Sequence, residues 1–241
     1  MPAYRAPLRD MKFVFDEVLN AYEALQSLPD QVDFTADLGD AILEEAARLA
    51  ENVLAPLNGP GDKQGCKYDP QTKLVKTPAG FADAYKQFAE GGWTALACSP
   101  EFGGQGLPHV LNMMVEEMVC SANLSLGMYP GLTHGAINAL TQHGARDLQE
   151  RFLPRLISGE WTGTMCLTEP QCGTDLGLIR TKAVPQPDGS YKITGQKIWI
   201  SGGEQDLAPN IIQLVLARIE GGPEGIKGIS LFIVPKFMVN A

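Results

Sequence analysis

The chain reads as an α+β protein, with an all-helical segment over residues 1–160 and a β segment of barrel-like type over 161–241. Two observations predict this. Upstream of Glu160 the apolar residues recur at helical spacing, and downstream they gather into β-branched and aromatic runs separated by turn residues. A third sets the scale: 241 residues, 44% hydrophobic and 20% charged, suffice for one large core or two modest ones.

Taken in order, Phe15, Val18, Tyr22 and Leu25 fall on one helical face. Leu38, Ile42, Ala46, Leu49 and Val53 form a second stripe, expected to end at Pro56, whose ring and missing N–H stop a helix. Residues 58–62 and 101–108 read as glycine-rich connections. Between them, Thr77-Pro78 has the order of a helix start, Phe81, Tyr85 and Phe88 share a face, and Gly91-Gly92 close it. Val110, Met114, Val115 and Met118 mark a further helix. Another covers 132–143, with Gly144 as its left-handed C-cap, and Leu148, Phe152 and Leu156 mark the last before Ser158-Gly159. Strands are expected over 162–168, 179–184, 191–201, 211–218 and 226–234, with 187–190 as a hairpin turn.

A net charge of −9 argues against nucleic acid as a partner, because phosphate backbones need a basic face. No apolar run approaches membrane-spanning length, and the first ten residues lack the apolar stretch of a secretory signal, so a cytoplasmic protein without a membrane partner is expected. The five cysteines are scattered and odd in number, with no CxxC pair. His109, His134 and His143 have no ligand-like or triad-like setting, so no metal is expected.

The chemistry concentrates in two blocks: MCLTEPQCGTDLG over 165–177 and ITGQKIWISGG over 193–203. Each is a strand followed by a turn. Thr168, Thr174 and Ser201 supply hydroxyl donors; Gly173, Gly202 and Gly203 let backbone approach a ligand closely; Trp199 offers a flat face. Such a set suits a planar cofactor with a polar edge. The two blocks closely resemble the flavin-binding signatures T-E-P-x-x-G-[ST]-D and G-x-K-x-[WF]-I-[ST] of the acyl-CoA dehydrogenase family. EFGGQG at 101–106 and the segment 143–170 are also similar to that family. Within it, YRAPLRDMKF, APLNGPGDKQGCKYD, MYPGL and GGEQDLAPNIIQLVLARI look most like the bacterial branch that contains 3-methylmercaptopropionyl-CoA dehydrogenase.

The resemblance implies an FAD enzyme that removes a proton and a hydride from adjacent carbons of an acyl-CoA thioester. It also implies an electron-transfer flavoprotein as acceptor and a homo-oligomeric whole protein. By the family motif, the Leu167 main chain and Thr168 hydroxyl would face the flavin's pyrimidine edge. Trp199 would lie against the ring, and Ser201 would donate near N5. Gly173 and Thr174 would approach the pyrophosphate and the pantetheine of substrate, and Met128, Gly131 and Gly135 would face the acyl tail. Glu169 and Asp175 are expected to be structural. In the family the catalytic glutamate lies beyond the middle β domain, so no catalytic base is assigned among these residues. The chain accordingly reads as a truncated form, inactive alone. Two alternatives share the fold: an oxidase-like enzyme passing electrons to oxygen, and a non-catalytic DNA-binding relative of the alkylation-response type.

Overall fold

The computed structural model describes residues 3–239. Helix α1 (Leu8–Lys12) opens into a wide turn over Phe13–Val18, where Leu19 N donates to Val14 O at 3.0 Å. Asn20, at φ +47°, then breaks the rod before α2 (Ala21–Gln26). The expected stripe from Phe15 to Leu25 therefore crosses a break, which leaves Val18 60% exposed. Phe15 and Phe34 instead close on Tyr22 with ring centroids 5.0 and 5.5 Å away.

Helix α3 (Ala36–Leu49) is capped by Thr35, whose hydroxyl accepts from Leu38 N. It does not end at Pro56. A second wide turn over Ala50–Leu54 leads directly into α4 (Ala55–Gln64), and Pro56 sits in the first turn of α4, where a missing donor does no harm. Residues 58–62 are thus helical rather than a connection, with Gly61 buried against the Phe81 ring. A short antiparallel ribbon of β1 (Lys67–Tyr68) and β2 (Val75–Lys76) follows. Helix α5 (Phe81–Glu90) starts after Gly80, not at Thr77. The Thr77 amide and hydroxyl are both committed to Asp206 Oδ1, at 2.9 and 2.6 Å, and so cannot cap.

Helix α6 (His109–His143) is two arms joined at Asn123, which is non-helical at φ −158°, ψ 87°. Glu116 and His134 would lie about 27 Å apart in a straight helix, yet their side chains meet at 2.7 Å. The arms therefore fold back on each other. Asn123 organises the bend: Oδ1 accepts from Leu126 N and Nδ2 donates to Leu54 O, both at 3.1 Å. Gly144 is extended (φ −71°, ψ 140°) rather than left-handed, and α7 (Arg146–Ile157) follows.

The second half is a curled five-stranded sheet. Strand β6 (Asn210–Ile219) is its spine. Along one side β6 runs parallel first to β3 (Trp161–Cys166) and then to β4 (Lys182–Pro185); along the other it pairs antiparallel with β7 (Ile229–Pro235). Strand β5 (Tyr191–Thr194) forms a hairpin with β4. The expected strand over 191–201 stops at Thr194, because beyond it Lys197 turns inward and Trp199 adopts a left-handed conformation. One core cluster fills the helical part around Leu43, Leu54, Phe81, Leu111 and Met118. A second joins α7 to the sheet through Phe152, Leu156, Trp161 and Ile212. Among the described residues, no helix is long and apolar enough to cross a membrane.

Strand β3 lies directly on the second arm of α6. Gly163 N donates to Thr133 Oγ1 at 3.0 Å, and a Cβ at Gly163 would stand 2.5 Å from that of Ala136. Gly163→Ala should therefore lever the strand off the helix and cost about 2–3 kcal/mol in chemical denaturation. A neutral result would show that the two layers are loosely joined.

Candidate functional site

The two chemistry-bearing blocks, almost thirty residues apart in sequence, are sewn together by main-chain and charged contacts. Ile198 N donates to Thr168 O at 2.9 Å. Lys197 Nζ donates to Leu167 O at 3.0 Å and to Glu169 Oε1 at 2.8 Å. Thr164 Oγ1 donates to Ser201 O at 2.6 Å. Gly195, the first residue of the G-x-K pattern, is required here: a Cβ would fall 2.3 Å from Thr181 Oγ1.

Glu169 is the hub. It is 3% exposed and accepts from Lys197 Nζ, Thr181 Oγ1 (2.6 Å), Thr181 N (3.1 Å), Arg180 N (2.7 Å) and Gln171 Nε2 (2.6 Å). Burial alone would raise its pKa, but Lys197, Thr181 and the two backbone donors outweigh burial and hold it down at about 2. Its lone pairs are thus committed to the fold.

The other residues singled out by sequence behave oppositely. Among the described residues, Thr168 Oγ1, Thr174 Oγ1 and Ser201 Oγ donate to no protein acceptor, while the hydroxyls of Thr133, Thr162, Thr164 and Thr181 are all engaged. Gly173 lies beside Thr168, a Cβ there standing 3.4 Å from the Thr168 methyl. Trp199 is 85% exposed and holds φ +58°, a conformation that costs a bulky residue on the order of 1 kcal/mol. An indole that is both strained and bare contributes nothing to the core. Such an arrangement can present hydroxyl donors and an aromatic face to a flat ligand.

On the helical side, Met128, Gly131 and Gly135 share an exposed stripe of the second α6 arm, and a Cβ at either glycine would meet nothing within 4 Å. The neighbouring face of that arm touches the second block: a Cβ at Gly202 would stand 3.4 Å from Tyr129 and 3.7 Å from Leu132. The second block thus rests on the face next to the stripe. Thr174 stands apart, exposed on the loop that follows Gly173. A cleft of about 550 Å³ opens on the sheet where the two blocks meet, lined by Cys166, Lys197, Trp199, Gly203 and Gln213.

His134 ties the second arm of α6 to the first. Its Nδ1 faces Glu116 Oε1 at 2.7 Å and its Nε2 faces Thr94 O at 2.9 Å, so only the imidazolium satisfies both acceptors. Burial lowers its pKa, but Glu116 and the Thr94 carbonyl reverse that and leave it raised above 6.5. A raised histidine pKa stabilises fully below 6.5 and progressively less as pH rises through the folded value. Urea unfolding should therefore show stability falling above pH 6.5, and His134→Gln should abolish that slope. An unchanged slope would place the titrating group elsewhere.

Sequence reasoning did not find Lys197, Thr181, Tyr129 or the pairing of His134 with Glu116. Only Lys197 carried a local signal, as the fixed base of the G-x-K pattern just ahead of Ile198–Ile200.

The acyl-CoA dehydrogenase N-terminal domain model matches residues 38–160 and the middle domain model matches 164–240. The chain belongs to the acyl-CoA dehydrogenase family. It is 43% identical over 237 residues to 3-methylmercaptopropionyl-CoA dehydrogenase of Ruegeria pomeroyi, covering 98% of this chain and 40% of that protein. It is 38% identical over 243 residues to a butyryl-CoA dehydrogenase of Syntrophomonas wolfei, covering 98% and 39%. In structure it is similar to butyryl-CoA dehydrogenase from Megasphaera elsdenii, with a TM-score of 0.68 and 26% identity over 85% of this chain and 50% of that one. The chain thus spans about two-fifths of the length of the curated relatives it matches.

Proposed function

We propose that this chain forms the flavin- and acyl-binding part of an FAD-dependent acyl-CoA dehydrogenase, with residues 1–160 on the acyl side and 161–241 on the flavin side. The observation that carries the reading is the contrast between committed and uncommitted groups. Every buried threonine around the two blocks spends its hydroxyl on the fold, while Thr168, Thr174 and Ser201 keep theirs, beside a bare and strained Trp199. That donor set fits a flavin, whose pyrimidine edge and N5 need hydrogen-bond donors and whose ring needs an apolar face.

FAD, when bound, supplies the hydride acceptor. In this reading the Leu167 main chain and the Thr168 hydroxyl would hold the pyrimidine edge of the flavin, as donors already in place for a ring that accepts hydride. Ser201 donates near N5, Trp199 packs on the ring, and Gly173 and Thr174 take the pyrophosphate and pantetheine. Met128, Gly131 and Gly135 border the acyl tail; two glycines leave it room and Met128 adapts to irregular shape. Glu169 is not the base, since five donors hold its carboxylate. The glutamate that takes the α-proton is, in this reading, outside these 241 residues. The whole protein passes its electrons to an electron-transfer flavoprotein, acts as a homo-oligomer and works in the cytoplasm.

The substrate is a fatty acyl-CoA or 3-methylmercaptopropionyl-CoA. Anaerobic addition of butyryl-CoA and of 3-methylmercaptopropionyl-CoA to the whole flavin-loaded protein tests this. Bleaching of the flavin band by one of them is expected, and a protein that binds both thioesters without bleaching would sink the reading.

A further inference from the structure

The loop bearing Gly173 and Thr174 is pinned at both feet. At the first, Glu169 and Cys172 exchange backbone bonds (Glu169 N to Cys172 O, 2.8 Å; Cys172 N to Glu169 O, 3.1 Å). At the second foot stands Arg218, on β6. Its guanidinium donates through Nε to Ile179 O at 2.7 Å, through Nη2 to Gly177 O at 2.6 Å and through Nη1 to Gly225 O at 2.6 Å. Among the described residues no carboxylate comes within ion-pair distance of it. Gln171 takes the intervening carbonyl, Leu178 O, at 3.1 Å. Three consecutive carbonyls are therefore fixed by side chains, and Asp175 Oδ1 closes the turn on Gly177 N at 3.0 Å. What remains unfastened is the short stretch carrying Gly173 and Thr174.

We propose that Arg218 is a positioning residue for ligand binding at this loop. It sets where Gly173 and Thr174 stand, and so governs affinity for the phosphate-bearing ends of FAD and CoA thioester rather than the chemical step. The proposal rests on the functional reading above. Three arguments support it. A guanidinium is the one side chain whose rigid fork can hold three carbonyls in fixed directions. Holding carbonyls rather than a carboxylate leaves its positive charge uncompensated beside the loop assigned to the pyrophosphate, where an anion gains from it. The third carbonyl, Gly225 O, ties in the 225–228 turn, so two loops at the end of β6 move as one.

Arg218→Lys and Arg218→Met separate geometry from charge. Lysine keeps the charge but cannot span three carbonyls; methionine loses both. Amide hydrogen exchange on the full chain should show faster exchange over residues 173–180 in both variants. FAD and butyryl-CoA affinity, read by fluorescence titration, should fall about tenfold in Arg218→Met and by less in Arg218→Lys. The absorption spectrum of bound flavin and, in the whole protein, kcat at saturation should not move while KM rises. Lower melting temperature with unaltered affinities and KM would reduce Arg218 to a structural residue and overturn the proposal. Tight binding by the unaltered chain with unaltered exchange in both variants would overturn it as well. Failure of the unaltered chain to bind either ligand would instead strike the functional reading, and the proposal with it.

Discussion

Glu169→Gln is expected to destabilise the fold by about 3–5 kcal/mol, because it leaves the Lys197 ammonium buried without its counter-charge. The Lys197 side chain is only 10% exposed and has no other carboxylate in reach among the described residues. Glutamine also offers one acceptor oxygen where five donors converge. The expected damage is not confined to stability. Lys197 holds Leu167 O, and Thr168 O is held by the next residue along, so loosening the pair loosens the edge on which a flavin would sit. Lys197→Met should cost a similar amount, and the double variant should cost less than the two singles together, since no buried charge then stands alone. The pH dependence has a definite sign. Glu169 is lowered from 4.5 to about 2, so its contribution is complete above 4.5 and drains away as pH falls toward 2. Denaturant unfolding from pH 5 downward should therefore be steeper in the unaltered protein than in Glu169→Gln. Equal slopes would contradict the assignment of Glu169 as the charged hub.

The second large effect has opposite signs on stability and binding. Trp199→Gly removes a strained left-handed conformation and an indole that packs on nothing, so the protein without ligand should gain roughly 1 kcal/mol. Its affinity for FAD should fall about tenfold or more, because the aromatic face is gone. Stability and affinity moving in opposite directions is the signature of a residue kept for its ligand. A loss of stability in Trp199→Gly would mean that the indole is packing material after all.

Much of this was legible in the sequence, and the exceptions share a cause. The switch from helical to strand periodicity near Glu160 is a local signal, and β3 begins at Trp161. Wherever local rules erred, a tertiary partner or a backbone irregularity had prevailed. Pro56 does not stop its helix because a wide turn just ahead of it removes the need for its N–H. Thr77 does not cap because Asp206, far along the chain, takes both its donors. Thr168, Thr174, Trp199 and Ser201 draw notice in sequence only in combination and through the family signatures, since a hydroxyl after a strand is by itself an ordinary turn residue. Lys197 is marked only as the fixed base of the G-x-K pattern and Arg218 not at all, because a base in a strand-like run shows nothing of the carbonyls and carboxylate it will meet across the sheet.

The central claim is that Thr168, Trp199 and Ser201 are held free for a flavin by a framework that does not need them. Titrating FAD into the unaltered protein and into a Thr168→Ala, Trp199→Gly, Ser201→Ala variant, with thermal unfolding of each measured without ligand, tests it most directly. The variant is expected to melt at an equal or higher temperature and to bind FAD about a hundredfold or more weakly. Equal FAD affinity in the two proteins, or a variant that unfolds at markedly lower temperature, would contradict it.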